Sequence, residues 1–380
     1  MPHSFRSVSG RSLRFTRPRA RLALLGSALA ALPLLSTEVR AQGCMATRVS
    51  PPMFGVSDSA RYMEKGARDF SFAFRHYEAS RHFYDHNEEN VPANAPRVQR
   101  TTYDASATWM LTDRDSVTVS LPFQTGTFDR SPIPPHTGSK DKASGIGDLA
   151  VTWRRWIFDP ATHPHYNLRL GLGLKLPTGN DEAQTDRYVN VAPAGSPPSF
   201  AWRRGPADVA IQPGDGGLGI ILSAEGFHEL TPKSLLFGEV TYLLNPRGDN
   251  GVNNQWSGAG PYVPNSTTSV PDYFLGRMGV ALAEPFGWQR ASVQLGLRIE
   301  GQPPRDLIGS NDGFRRPGYS LSVEPGVAYS FGTWNVFVSV PTTLYRVRWR
   351  SVDEKRAGRS NAVSAAFADH NILAGVSRRW

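Results

Sequence analysis

Between His165 and Leu176 the side chains alternate without a break. Tyr166, Leu168, Leu170, Leu172, Leu174 and Leu176 are apolar, and His165, Asn167, Arg169, Gly171, Gly173 and Lys175 between them are polar or small. Successive side chains of a strand point to opposite faces, so this run has one greasy face and one wet face, and its period of two excludes a helix. The pattern returns along the chain. Val117, Val119, Leu121 and Phe123 alternate with Ser116, Thr118, Ser120 and Pro122. Ala291, Val293, Leu295, Leu297 and Ile299 alternate with Ser292, Gln294, Gly296, Arg298 and Glu300. Leu321, Val323, Pro325, Val327 and Tyr329 do the same against Ser320, Ser322, Glu324, Gly326 and Ala328.

About twelve such runs are present. They cover 67–80, 99–112, 116–127, 145–158, 165–178, 213–227, 232–245, 269–283, 288–302, 317–331, 333–347 and 363–380. The connections between them alternate. Long ones, rich in Pro, Gly, Asn and Ser, fall at 81–98, 128–144, 179–212, 246–268, 303–316 and 348–362. Short ones fall at Asp113-Arg114-Asp115, Asp159–Pro164, Glu229–Pro232, Glu284–Gly287 and Gly332. Long loops at one end and tight turns at the other are the layout of a transmembrane antiparallel up-and-down β-barrel. Lipid offers no hydrogen bonds, so such a sheet must close on itself. The expected fold class is therefore all-β, with a barrel over 67–380 and both of its ends on the short-turn, periplasmic side. A soluble secreted β-protein is the alternative fold, since sandwich strands also alternate.

The segment before the barrel reads as a leader. Residues 1–21 hold six arginines and no acidic residue, and a 14-residue apolar run follows from Leu22 to Leu35. That run is shorter than the roughly 20 residues needed to span a bilayer, and Val39 and Ala41 suit a cleavage site, so 1–41 is expected to be a cleaved secretory signal. Its removal takes away seven arginines and one glutamate, and the net charge falls from +9 to +3. The apparent basicity is thus a targeting feature, and no nucleic-acid partner is expected. The single cysteine, Cys44, excludes an internal disulfide. No Leu stands three positions ahead of Cys44, which argues against a lipidated cysteine. Residues 42–66 are polar and form a periplasmic tail or a segment folded into the lumen.

Tryptophans 109, 153, 156, 288, 334 and 380 fall near the predicted strand ends, where amphipathic rings rest among lipid headgroups. The expected surroundings are outer-membrane lipid and lipopolysaccharide. Trp380 closes an alternating last strand and resembles the C-terminal signal read by the barrel-assembly machinery, with Arg378 departing from an all-apolar version.

Four strings resemble one family, the outer-membrane proteins grouped under the meta-pathway of phenol degradation and described as transporters. They are Gly145-Ile146-Gly147-Asp148-Leu149, then LGLGLKLPTG from Leu170 to Gly179, Gly214-Asp215-Gly216-Gly217, and SVEPGVAYSFG from Ser322 to Gly332. Their order and spacing are similar over roughly residues 100–350. The resemblance implies an outer-membrane location and movement of small hydrophobic or aromatic compounds. It assigns no residue to a solute.

If the apolar faces meet lipid, the inward charges are the candidate lumen lining: Arg75, Asp104, Asp148, Arg154, Arg169, Lys175, Glu225, Glu239, Arg277, Arg298, Glu300 and Glu324. Charges inside a barrel persist when paired or hydrated, so they form either a filling lattice of ion pairs or a narrow wet path. Twelve strands lie between the filled eight-stranded and the open 16–18-stranded cases, and a partly filled lattice is favoured. Gly214 to Gly219 fits G-x-G-x-x-G, but a strand rather than a helix follows, which removes the dinucleotide reading. His82 and His86 with Asp85, Glu88 and Glu89 sit in a loop setting rather than on a metal-binding helix face. No G-x-S-x-G, H-E-x-x-H or P-loop occurs, so no catalytic residue, metal or cofactor is assigned and the chain is not expected to be an enzyme. The expected function is passive passage of small solutes. A closed structural or surface barrel is the alternative, followed by an outer-membrane lipid hydrolase.

Overall fold

The computed structural model describes residues 62–91, 95–129, 139–192, 196–253 and 267–380. The expected leader at 1–41, Cys44 and the stretch up to residue 61 lie outside the described residues. The alternating runs form twelve antiparallel strands. They are β1 (Arg68–Tyr84), β2 (Arg97–Met110), β3 (Asp115–Asp129), β4 in two pieces (Lys140–Ile146 and Ala150–Trp156), β5 (Tyr166–Lys175) and β6 (Gly219–Thr231). After these come β7 (Ser234–Leu244), β8 (Tyr273–Ala283), β9 (Ala291–Gln302), β10 (Gly318–Phe331), β11 in two pieces (Trp334–Ser339 and Thr342–Arg348) and β12 (Ala365–Arg379).

Each strand pairs with the next, and β12 returns to β1 from Asp69 opposite Arg379 to Phe83 opposite Ala365. The sheet is closed and keeps no open edge, as a bilayer core demands. The outer face carries the expected apolar residues: Leu168, Leu170, Leu172 and Leu174 on β5, Leu295 and Leu297 on β9, and Val327 and Tyr329 on β10 are all exposed. Tight turns gather at one end. Phe331 pairs with Trp334 across Gly332, whose φ of +58° is the left-handed backbone such a two-residue turn requires. Trp109, Trp153, Trp288, Trp334 and Trp380 are exposed on the outside, but Trp156 is only 2% exposed. This corrects the girdle assignment for Trp156. It shares the inward parity of Thr152 and Arg154 and packs inside against Phe227. Gly217, expected within a strand, stands ahead of β6.

The long loops hold more structure than their composition suggests. The connection after β5 contains a two-stranded ribbon, Gln184–Asn190 against Phe200–Pro206, with Tyr188 packed near Phe200 and Trp202. The last one contains a single helical turn, α1 (Val352–Arg356), started by a capping box between Ser351 and Glu354.

Inside, apolar clusters sit toward both ends. At the loop end Tyr77, Val98, Phe128 and Ala366 pack with Ala183, Ala207, Ala210 and Ile211 of the β5–β6 connection. At the turn end Trp156, Phe227, Leu235, Phe237 and Ala281 pack with Tyr62, which donates to the His163 carbonyl at 2.8 Å. Charged side chains are buried on the same inward faces, Arg75, Arg277, Arg298, Glu300 and Glu324 among them.

Candidate functional site: the barrel interior

Strand register sets the interior charges side by side. Arg169 pairs with Glu225, Glu225 with Glu239, Glu239 with Arg277, and Arg277 with Arg298, which faces Ser322. Two of these steps oppose like charges, Glu225 with Glu239 and Arg277 with Arg298, which is unfavourable in isolation. Pairing to other neighbours resolves both. Arg277 Nε lies 2.8 Å from Glu239 and its Nη1 lies 3.4 Å from Glu324, while Arg298 reaches Glu300 at 3.0 Å and Glu324 at 3.8 Å. Glu324 also accepts from Ser339 Oγ at 3.0 Å.

Glu300 is held from another strand as well. Arg75 of β1 donates to its two oxygens at 2.8 and 3.2 Å and to Asn371 Oδ1 at 3.3 Å. Strands β1 and β9 are not neighbours, so this bidentate pair spans the interior rather than running along the wall. Arg75, Arg277, Arg298, Glu300 and Glu324 are all buried. Charges this deep persist because each carboxylate serves more than one guanidinium.

The cations of β4 and β5 differ. Arg169 pairs with Glu225 and stacks 4.7 Å from the centre of the Trp156 ring. Arg154 donates through Nη1 to Thr118 Oγ1 at 3.0 Å, and its Nε stands 4.0 Å from Glu225. Their side chains keep 29% and 21% exposure for Arg154 and Arg169, against 1% for Arg75 and Arg298. Nearby inward positions carry hydroxyls in contact: Ser71 with Ser106 at 2.6 Å and Thr108 with Thr118 at 2.9 Å. Asp104 is buried and accepts from Ser120 Oγ at 3.5 Å.

Asp148 and Lys175, the remaining candidates, meet where β4 breaks. Lys175 Nζ lies 3.3 Å from Asp148 and is bonded to Asp215. Asp148 Oδ1 accepts from Gly179 N at 3.0 Å, and Thr178 Oγ1 accepts from Leu149 N at 2.8 Å. Three of the glycine-rich strings therefore converge. Their glycines are needed for contact: a Cβ on Gly214 would stand 2.6 Å from the Gly179 carbonyl carbon and oxygen, and one on Gly179 would stand 2.8 Å from Gly147 and Gly214 backbone. The G-x-G-x-x-G string is thus a packing device at a strand break.

Sequence reasoning missed the group that crosses the loop end. Residues Val209–Ile211 form a 3-10 turn capped by Asp208, whose carboxylate accepts from Ala210 N at 3.0 Å. Arg100 of β2 donates to the Ala210 and Gln212 carbonyls at 2.9 and 3.3 Å, and Gln124 of β3 donates to Pro213 O at 2.8 Å. Gly126 of β3 leaves room for Ile211, since a Cβ there would lie 2.7 Å from Ile211 Cγ2. On the far side Asp208 pairs with Arg316, just ahead of β10, at 3.4 Å. The apolar triplet Val209-Ala210-Ile211 inside a polar loop was the available signal. Among the long loops, Asp272 accepts from Asn245 N at 2.7 Å and Leu307 N at 2.9 Å, and burial pushes its carboxyl above the usual range. His82, weighed as a metal ligand, is buried and donates through Nε2 to Pro96 O at 2.8 Å.

No protein-family model and no curated protein sequence matches the chain. Among solved structures, the COG4313 outer membrane channel from Pseudomonas putida F1 is similar at a TM-score of 0.54 and 13% identity, over 84% of this chain and 97% of that one. The CymD monoaromatic hydrocarbon channel covers 85% of this chain and 90% of its own at 8% identity with a TM-score of 0.42. The toluene transporter TbuX of Ralstonia pickettii covers 84% and 90% at 9% identity, also at 0.42. The likeness to the Pseudomonas putida channel is one of fold: this chain is a closed, antiparallel, twelve-stranded barrel of the kind found among outer-membrane proteins.

Proposed function

We propose that the mature chain is an outer-membrane barrel that lets small solutes pass down their own concentration gradient. The observation that carries this reading is the two-faced wall: apolar side chains outside, and inside a polar face of hydroxyls and incompletely buried cations on β2–β5. An apolar exterior seats the barrel in lipid. A wet interior offers a solute hydrogen bonds in place of those it leaves in water. The turn end faces the periplasm in this reading, the leader at 1–41 directs export, and Trp380 serves assembly. The resemblance of the glycine-rich strings narrows the solutes to small aromatic compounds. The interior charges suit the carboxylated and hydroxylated members of that group.

A second reading has support of its own. The Arg75–Glu300 pair spans the interior, and the turn at 209–211 spans the loop end. Both favour a barrel whose resting state is narrow. Swelling of liposomes carrying the purified mature chain separates the two readings. Passage predicts faster swelling in aromatic acids than in sugars of similar size. Folded protein that leaves every solute outside would support the closed barrel.

A further inference from the structure

The interior charges are not evenly matched, and the mismatch has an address. Glu225 on β6 is shared by Arg169 on β5 and Arg154 on β4. Arg169 is bonded to it directly, whereas Arg154 stands at the 4.0 Å limit of an ion pair, and Glu225 is the only carboxylate that close to it among the described residues. Glu239, the next carboxylate along the register, is engaged by Arg277 at 2.8 Å. Arg154 therefore carries a charge that its surroundings meet incompletely. Its Nε is buried without a hydrogen-bond partner, while the side chain as a whole keeps 29% exposure on the inward face.

A hydroxyl with unused capacity lies on the same row of the wall, one strand beyond Gly171. Ser223 Oγ is buried with no partner. Both groups flank Gly171: a Cβ at that position would stand 2.2 Å from Ser223 Oγ and 3.1 Å from Arg154 Cγ. Gly171 thus leaves bare backbone between the aliphatic stem of Arg154 and the Ser223 hydroxyl. Buried donors without acceptors cost stability unless something fills them, and a planar guanidinium pairs best with a planar carboxylate. A neutral ring offers neither of them an acceptor of that strength.

We infer that Arg154 and Ser223, across Gly171, form a carboxylate-binding subsite on the interior wall, and that the solutes it takes are small organic acids. The inference deepens the proposed passage of small solutes and rests on that reading for solute access to the interior. Glu225, itself bonded to Arg169, lies 4.0 Å from Arg154 Nε, and Thr118 fixes the orientation of Arg154 through the 3.0 Å hydrogen bond from Nη1.

Equilibrium binding tests this independently of transport. The probes are benzoate and benzyl alcohol, similar in size and different in charge, titrated by calorimetry against the detergent-folded mature chain. Wild type should bind benzoate at least tenfold more tightly than benzyl alcohol, because a hydrogen bond to a charged group is worth roughly that factor or more. Arg154→Gln should remove the preference, and Arg154→Lys should restore part of it. Arg204→Gln, on the exposed ribbon of the β5–β6 connection, should leave it unchanged. Equal binding of the two probes by folded wild type would overturn the inference. So would an Arg154→Gln protein that retains the preference. Passage is read separately, by benzoate flux into liposomes: binding without flux would leave the subsite standing and remove the transport reading, and flux without a charge preference would do the reverse.

Discussion

Glu300 is the residue on which the interior lattice can be broken most cleanly. It accepts from Arg75 at 2.8 and 3.2 Å and from Arg298 at 3.0 Å, and all three side chains are 1% exposed. Glu300→Gln preserves the volume and deletes the charge. Removing one partner of a buried pair costs about 3–5 kcal/mol, because the other charge is stranded. Arg298 keeps Glu324 at 3.8 Å, and Arg75 keeps the neutral Asn371 oxygen at 3.3 Å, so the loss should fall near the lower end, about 3 kcal/mol. The assay is equilibrium unfolding in urea, followed by the mobility difference between folded and unfolded barrel on a gel. Adding Arg75→Gln removes the stranded cation and should recover about 1–2 kcal/mol, a coupling that a double-mutant cycle measures. Because the Arg75–Glu300 pair spans the interior, its loss should also raise conductance. A Glu300→Gln barrel with the wild-type midpoint, or a double mutant whose cost is merely additive, would refute the lattice.

Three further outcomes are expected. Leu172→Arg places a cation on the lipid face of β5 and should lower stability by about 2–4 kcal/mol, with a matching loss of folded protein in membranes; normal assembly would mean the faces are assigned backwards. Gly214→Ala forces a Cβ to within 2.6 Å of the Gly179 backbone and should cost about 1–3 kcal/mol, seen as faster proteolytic cutting within 176–218. Ile211→Gly empties the contact with Gly126 and loosens the turn across the loop end, so conductance should rise and channel closures should shorten.

Most of the fold was legible because a half-wet strand writes itself at period two. The run from Tyr166 to Leu174 needed no tertiary information, and the spacing of turns such as Gly332 fixed strand order up to closure. Parity also proposed an inward face for the twelve candidate charges. It could not say which charge meets which. The Arg75–Glu300 pair joins positions 225 residues apart through shear and closure, which alternation does not encode. Trp156 was misplaced because proximity to a strand end was weighed above its parity, and parity won. The Asp208–Gln212 turn stayed hidden for a different reason. Loop composition reports solvent exposure on average, and this segment is buried by the barrel around it. The glycine strings were visible, yet their convergence at Lys175, Asp148 and Asp215 depends on β4 breaking at Gly147, which no local propensity announced.

Current through planar bilayers containing the folded mature chain tests the central claim most directly. Passive passage predicts unitary current steps at fixed voltage, a larger unitary conductance for Glu300→Gln, and shorter closures for Ile211→Gly. Protein shown to be inserted and folded that gives no steps, in wild type and in both variants, would contradict a conduit and leave a barrel sealed by its own charges.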